Sequence, residues 1–179
     1  KISELASQDR VLLIKTHNLT DKYWKNFYFK LAFKHTNIHY LSDQDYSGMM
    51  HAADLMISDV SSIFLEFILL DKPVILYNNP AKETFVHYRA DEIEYQTRNA
   101  ARLVSTIQEL WKALDNELEN PNRLSSIRRQ YAKALDYGRD GKSTQRAAKA
   151  ILDWYQNNIA MNSPEIANII LQAPNKNQL

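Results

Sequence analysis

The sequence predicts an α/β fold of Rossmann-like type: a parallel sheet with helices on both faces, followed by a helical C-terminal extension. Three observations predict it. Short apolar runs of strand type alternate with stretches of helical apolar spacing, the pattern of βαβ units. Polar residues gather at the ends of the apolar runs rather than inside them, as strands covered on both faces require. With 179 residues, 45% hydrophobic and 24% charged, the chain has the make-up of a globular protein with one sizeable core.

The first strand is read at VLLIK (Val11–Lys15), ending in Thr16-His17-Asn18. Tyr23, Phe27 and Leu31 then recur at helical spacing, so a helix is expected from about Thr20 to Lys34 with Thr20 or Asp21 as cap. Ile38–Leu41 is a second strand, and Ser42 and Asp43 are placed to cap a helix over about Gln44–Ala53. Leu55–Ser58 is a third strand, Ser61–Leu70 a helix and Pro73–Tyr77 a fourth strand. Asn79–Thr97 is polar and aromatic without a clear period and reads as a long loop or broken helix, a feature more often functional than idle. A last short strand is expected at Arg102–Val104. Helices follow at about Thr106–Glu119, Pro121–Tyr137 and Ser143–Gln156, then a short one at Ser163–Leu171 and a frayed tail.

Composition excludes several function classes. With 22 Lys and Arg against 21 Asp and Glu, no global field draws nucleic acid to the chain or the chain to an anionic membrane. No apolar run is long enough to span a bilayer, and no secretory signal stands at the start. The first residue is Lys1, so an excised piece of a longer protein is expected. Absence of Cys removes thiolate nucleophiles and Cys-based zinc sites, and fits a cytosolic protein. Three glycines are too few for a P-loop or a GxGxxG turn, so a phosphate would have to be held by helix starts and side chains. SDQD (Ser42–Asp45) is a loop and cap rather than a ligand set, and the five His are scattered. No metal and no cofactor is expected.

Two clusters carry the chemistry. Asp59, Ser61 and Ser62 stand where the third strand meets its helix, and in open α/β sheets ligands bind outside the carboxyl ends of strands. A helix start presents N–H groups and a positive dipole end suited to phosphate. Glu66, about two turns on, can accept from a sugar hydroxyl. The alternative is that Ser61 or Asp59 merely caps the helix. His17 follows a strand in the same way and can donate to a diphosphate, or can be a plain surface residue. The second cluster is DYGRDGKSTQRAAKAIL, in which Ser143 or Thr144 is placed to cap a helix. Lys142 and Arg146 stand in its opening turn against the dipole. Arg146 and Ser143 therefore meet either an anion or, for Arg146, a nearby carboxylate.

LLIKTH, DYSGMMHAADLMISDVSSIFLEFILLDKPVILY and DGKSTQRAAKAIL together resemble the C-terminal half of the CDP-glycerol glycerophosphotransferase family, the teichoic-acid and capsule polymerases and primases. The pieces keep the family's order and cover roughly Leu12–Leu152. Asp54, Asp59, Ser61, Ser62, Glu66, Lys72 and Pro73 match the middle motif, and Asp140, Gly141 and Arg146 the last one. Val60 replaces the usual Tyr, Glu66 a frequent Asp, and Asn18 stands where a Pro often follows the His.

The resemblance implies a GT-B architecture in which residues 1–158 are the Rossmann-like nucleotide-donor domain and 159–179 a short helix and tail. It implies that His17 is the catalytic histidine and holds the diphosphate, that Ser61 and Ser62 bind phosphate, and that Glu66 faces the ribose; Asp59, Ser143 and Arg146 complete the substrate-binding set. The implied reaction is attack of an acceptor hydroxyl on the β-phosphorus of CDP-glycerol with release of CMP, in cell-envelope polymer synthesis. The partners are the nucleotide donor, a polymer acceptor and an N-terminal GT-B domain, without nucleic acid. The implied location is cytoplasmic, peripheral on the inner face of the cell membrane if a membrane is met at all. Two alternatives stay open: a UDP-sugar glycosyltransferase or epimerase domain, and a non-catalytic partner domain of response-regulator shape. A receiver would want an acidic cluster where this first strand ends in Lys15-Thr16-His17.

Overall fold

The computed structural model describes residues 2–7, 9–42, 46–59, 61–79, 89 and 91–159. The chain forms two compact units, Lys1–Ala132 and Lys133–Leu179. In the first, a 3₁₀ turn at Ile2–Leu5 precedes β1 (Leu12–Lys15), α1 (Lys22–Lys34), β2 (Ile38–Leu41), α2 (Ser47–Ala52), β3 (Met56–Ser58), α3 (Ile63–Ile68) and β4 (Val74–Tyr77). There follow α4 (Ile93–Gln96), a 3₁₀ turn (Arg98–Ala100), β5 (Arg102–Val104), α5 (Ile107–Glu119) and α6 (Ser125–Leu135), which runs into the second unit; α7 (Ser143–Asn158) belongs to the second.

Every strand pair is parallel, as the βαβ reading requires. β1 pairs with β2 from Leu12 opposite Ile38 to Lys15 opposite Leu41. β4 lies between β3 and β5, with Met56 opposite Val74 and Ile75 opposite Arg102. The five strands thus form two ladders, β1–β2 and β3–β4–β5. β3 is only three residues long, and β4 is its one ladder partner among the described residues.

The core gathers on β4. Ile75 packs with Val104 of β5 and with Leu110, Ala113 and Leu114 of α5. Val74 and Leu76 point to the opposite face and are equally buried, so both faces of β4 are covered. α3 also packs on β3 and β4 and buries Phe64, Phe67 and Ile68. The β1–β2 ladder is covered far more thinly. Ile38 is its one fully buried residue among those described, and α1 buries none.

Local chemistry sets the ends. Asp21 caps α1 by accepting from Tyr23 N at 2.7 Å. Thr106 caps α5 by accepting from Glu109 N at 3.2 Å, while the Glu109 carboxylate accepts from Ser105 N at 2.7 Å. That is close to a capping box. α2 departs from expectation: it starts at Ser47 with Tyr46 at the cap position and no side-chain cap bond. Asp43, the expected cap, lies outside the described residues, as do most of the loop after Asn79, the helix expected at Ser163–Leu171 and the tail. α6 starts at Ser125 rather than Pro121, because Ser125 N bonds back to Asn122 O and the Pro121 carbonyl accepts from Arg128 instead.

Three consecutive residues tie the unit together. Asp71 closes α3 with a positive φ of 55°, a conformation that Asp tolerates better than most residues. Its carboxylate accepts from Ser125 Oγ at 2.6 Å and Arg128 Nε at 3.0 Å, and its carbonyl from Arg128 at 2.9 Å. Lys72 Nζ donates to the carbonyls of His51 (2.5 Å), Ala53 (2.8 Å) and Met50 (3.4 Å), closing the C-terminus of α2. Pro73, buried, gives its carbonyl to Met56 N of β3 at 3.1 Å. The Lys-Pro pair that matches the family motif is therefore structural.

Arg128 is wholly buried, whereas the Asp71 side chain keeps 31% of its exposure. Removing the carboxylate leaves a buried charge without its counter-ion. Asp71→Ala should lower stability in urea unfolding by about 3–5 kcal/mol. Arg128→Met should cost clearly less, because water can still reach Asp71. Equal, small losses would show that the pair does not hold the turn.

Candidate functional site

Asp59 follows β3 directly, at the carboxyl end of the strand. Its backbone is held from across the unit, since its carbonyl accepts from Nη1 of Arg98 at 3.2 Å. Arg98 is 92% buried in its 3₁₀ turn, so a buried guanidinium holds the junction backbone. The Asp59 carboxylate is exposed and has no hydrogen-bond partner among the described residues.

Ser62 stands at the cap position of α3, with helical φ and ψ (−60°, −16°) and no side-chain cap bond. Its hydroxyl is exposed and unengaged among the described residues. Ser61 Oγ accepts from Ile63 N at 3.5 Å, the limit of a hydrogen bond. The first turn closes instead through backbone bonds of 3₁₀ type, Phe64 N to Ser61 O at 3.4 Å and Leu65 N to Ser62 O at 2.9 Å. Capping thus uses little of what this junction offers. A carboxylate and a hydroxyl are left facing water.

Glu66, one turn along α3, is exposed and held in place. Tyr46 Oη donates to both carboxylate oxygens, at 3.2 and 3.3 Å. Tyr46 opens α2, so this contact joins the α2 start to the α3 surface.

His17 lies two residues beyond β1, exposed, with Nδ1 accepting from Leu19 N at 3.2 Å. That bond assigns the neutral ring's proton to Nε2, which can donate outward. β1 and β3 belong to different ladders, so His17 and the Asp59–Ser62 junction stand at the ends of separate hydrogen-bonded groups.

In the second unit, Arg146 is engaged locally. It donates to both Asp140 carboxylate oxygens (2.8 and 3.0 Å), to Tyr137 O (3.0 Å) and to Ser143 Oγ (3.2 Å). The guanidinium also lies over the Tyr137 ring and against Gly138, whose φ of 83° and lack of a side chain leave room for it. Ser143 is the first residue of α7 rather than its cap. Lys142 takes the cap position, and Asp140 accepts from Lys142 N at 3.0 Å.

Two residues of the junction escape sequence reasoning. Arg98 sits in QTRNAARL with no motif around it; its one signal is a charged side chain in a run of small residues before a strand. Tyr46 lies inside the DYSGMM piece, but nothing in the sequence links it to the carboxylate twenty residues away that it holds. Among the described residues, no group of three or more His, Asp or Glu is placed to hold a metal ion. No helix among them is long and apolar enough to cross a membrane.

The Arg146 contact, followed by Lys142 N, holds the Asp140 carboxyl below its ordinary value of 3.8. A lowered folded value means that its stabilising effect is full above 3.8 and fades as pH falls through the lower, folded value. NMR titration of the side-chain carboxyl should place Asp140 below 3.8 in the native chain and back near it in Arg146→Gln. An unchanged midpoint in the variant would show that Arg146 does not hold this carboxylate.

No curated protein and no solved structure matched the chain in sequence or structure comparison. The sequence profile of the family described as CDP-glycerol:poly(glycerophosphate) glycerophosphotransferase matches residues 1–153, most of the chain and every motif considered above. The chain belongs to the CDP-glycerol:poly(glycerophosphate) glycerophosphotransferase family.

Proposed function

We propose that this chain is the donor-binding part of a transferase that moves glycerol phosphate from CDP-glycerol to an acceptor hydroxyl in teichoic-acid or capsule-like polymer synthesis. The observation that carries the reading is the β3–α3 junction: in a chain of this family, the Ser62 hydroxyl and the Asp59 carboxylate are exposed and unused by the fold. The hydroxyls of Ser61 and Ser62 meet the donor phosphates. Asp59 would repel a phosphate and so accepts from donor hydroxyls. Glu66, held by Tyr46, accepts from the ribose. Arg98 fixes the junction backbone through the Asp59 carbonyl and brings positive charge to it.

In the transfer, the acceptor oxygen bonds to the β-phosphorus and the bond to the bridging oxygen breaks. That oxygen leaves with CMP, and the acceptor proton passes to a base. His17 donates through Nε2 to the diphosphate and offsets the charge that builds on the departing CMP. In the second unit, taken by itself, Arg146 and Ser143 offer a guanidinium and a hydroxyl to an anion, and Asp140 holds Arg146 in one orientation. A second Rossmann-like domain, N-terminal in a GT-B pair, supplies the acceptor side and the base. The enzyme works in the cytoplasm, at the inner face of the cell membrane.

Ligand-dependent melting tests the phosphate contacts. CDP-glycerol at a hundredfold excess over its dissociation constant should stabilise the chain by about 2.7 kcal/mol. Ser62→Ala should leave the ligand-free melting point nearly unchanged, because Ser62 makes no cap bond, and should remove most of the ligand shift. A full shift retained in Ser61→Ala/Ser62→Ala would rule out phosphate binding at the junction. UDP in place of CDP should give the smaller shift.

The ribose contact has its own test. Glu66→Gln should weaken CDP binding by roughly tenfold or more, the range for a hydrogen bond to a charged group, and barely affect 2′-deoxy-CDP. Equal weakening of both nucleotides would place Glu66 away from the ribose.

A further inference from the structure

The turn that follows β1 is exposed, yet two other elements hold it. His17, Asn18 and Leu19 all face water. The turn closes on itself through Thr20 N to His17 O at 2.9 Å and Leu19 N to His17 Nδ1 at 3.2 Å. Its remaining backbone groups could bond to water, so satisfying them calls for nothing more. Nevertheless Tyr40 Oη of β2 and Thr16 Oγ1 share a hydrogen bond of 3.0 Å. Lys25 Nζ of α1 donates to Asn18 O at 2.7 Å. The residue before His17 is therefore tied to β2, and the residue after it to α1.

Register brings Tyr40 to Thr16. Ile14 stands opposite Tyr40 in the parallel ladder, so their side chains leave the same face. Thr16, two residues beyond Ile14, falls on that face as well, and the tyrosine ring is long enough to reach it. The last ladder pair is Lys15 with Leu41. The hydroxyl pair thus carries the tie one residue past the point where backbone pairing stops. Lys25 stands in the opening turn of α1, where a cation works against the helix dipole. The Asn18 carbonyl offsets that cost.

We infer that Tyr40 and Lys25 are positioning residues for His17: they clamp the chain on either side of it, so that Nδ1 stays bonded to Leu19 N and the Nε2 proton stays directed outward. The use of this in donor binding rests on the reading of His17 given above, whereas the clamp itself does not. Thr16, Tyr40 and Lys25 are all partly exposed, and Ile38 is the one fully buried residue of the β1–β2 ladder among those described. The two bonds therefore add little to a core. What they add is order at one side chain, and a ring already ordered loses less freedom when it meets a ligand.

Nitrogen NMR of the neutral His17 ring, without ligand, tests the clamp. The native chain should show the form protonated at Nε2. Tyr40→Phe, Thr16→Val and Lys25→Met should each move the ring nitrogens toward the average of the two tautomers. Thr16→Ser and Lys25→Arg keep a hydroxyl and a cation in place and should look native. All five variants should melt close to the native chain. CDP-glycerol affinity then tests what the clamp serves. His17→Gln should weaken binding by about tenfold or more, and Tyr40→Phe by about threefold. In the His17→Gln background Tyr40→Phe should change it by less than about twofold, because Tyr40 acts through His17. Ring signals unmoved by Tyr40→Phe and Lys25→Met would overturn the inference. So would equal losses from Tyr40→Phe in both backgrounds, since Tyr40 would then act without His17. Undiminished binding by His17→Gln would instead overturn the reading of His17 as a donor contact, and the ring signals would still decide the clamp.

Discussion

The turn Asp71-Lys72-Pro73 is the constraint on which the first unit depends. Each residue fastens a different element: Asp71 holds α6, Lys72 closes α2 and Pro73 joins β3. The turn also feeds β4, the strand on which the core is built. A change here would move both ends of the β3–α3–β4 unit, and with them the junction that carries Asp59, Ser61 and Ser62. The Lys-Pro motif therefore supports the candidate site at a distance, by fixing the elements that flank it.

The unit is packed unevenly. Around β4 the side chains are buried on both faces, which gives the β3–α3 junction a rigid base. Arg98 reaches that junction from a 3₁₀ turn that is itself buried at Ala100 and tied to α6 through Tyr131 and Asn99. Around β1 and β2 the cover is thin, and α1 presents rings and ammonium groups outward. A well-buried part and a thinly covered part coexist within about 130 residues.

Much of this was legible in the sequence because periodicity is local. All five strands begin and end within one or two residues of where apolar runs place them, and α1, α5 and α7 follow their helical spacing. What escaped was long-range or geometric. Arg98 and Asp59 are 39 residues apart, Arg128 and Asp71 are 57 apart, and such pairs leave no period in the chain. The starts of α2 and α6 were displaced because tertiary bonds override propensity at helix ends. The stripe of Tyr23, Phe27 and Leu31 revealed a helix but not its exposure, since spacing gives a face and says nothing of what covers it. At the candidate site, residue types and spacing named Asp59, Ser61, Ser62 and Glu66. Only the structure shows that Ser62 does not cap and that Tyr46 holds Glu66.

The central claim is that the β3–α3 junction meets the donor, and amide NMR during titration with CDP-glycerol tests it most directly because weak binding still shifts resonances. The account predicts saturable shifts at Asp59, Ser61, Ser62 and Glu66, with Arg98 moving in parallel through its bond to the Asp59 carbonyl. Saturable shifts elsewhere in the chain, with this junction silent, would contradict it.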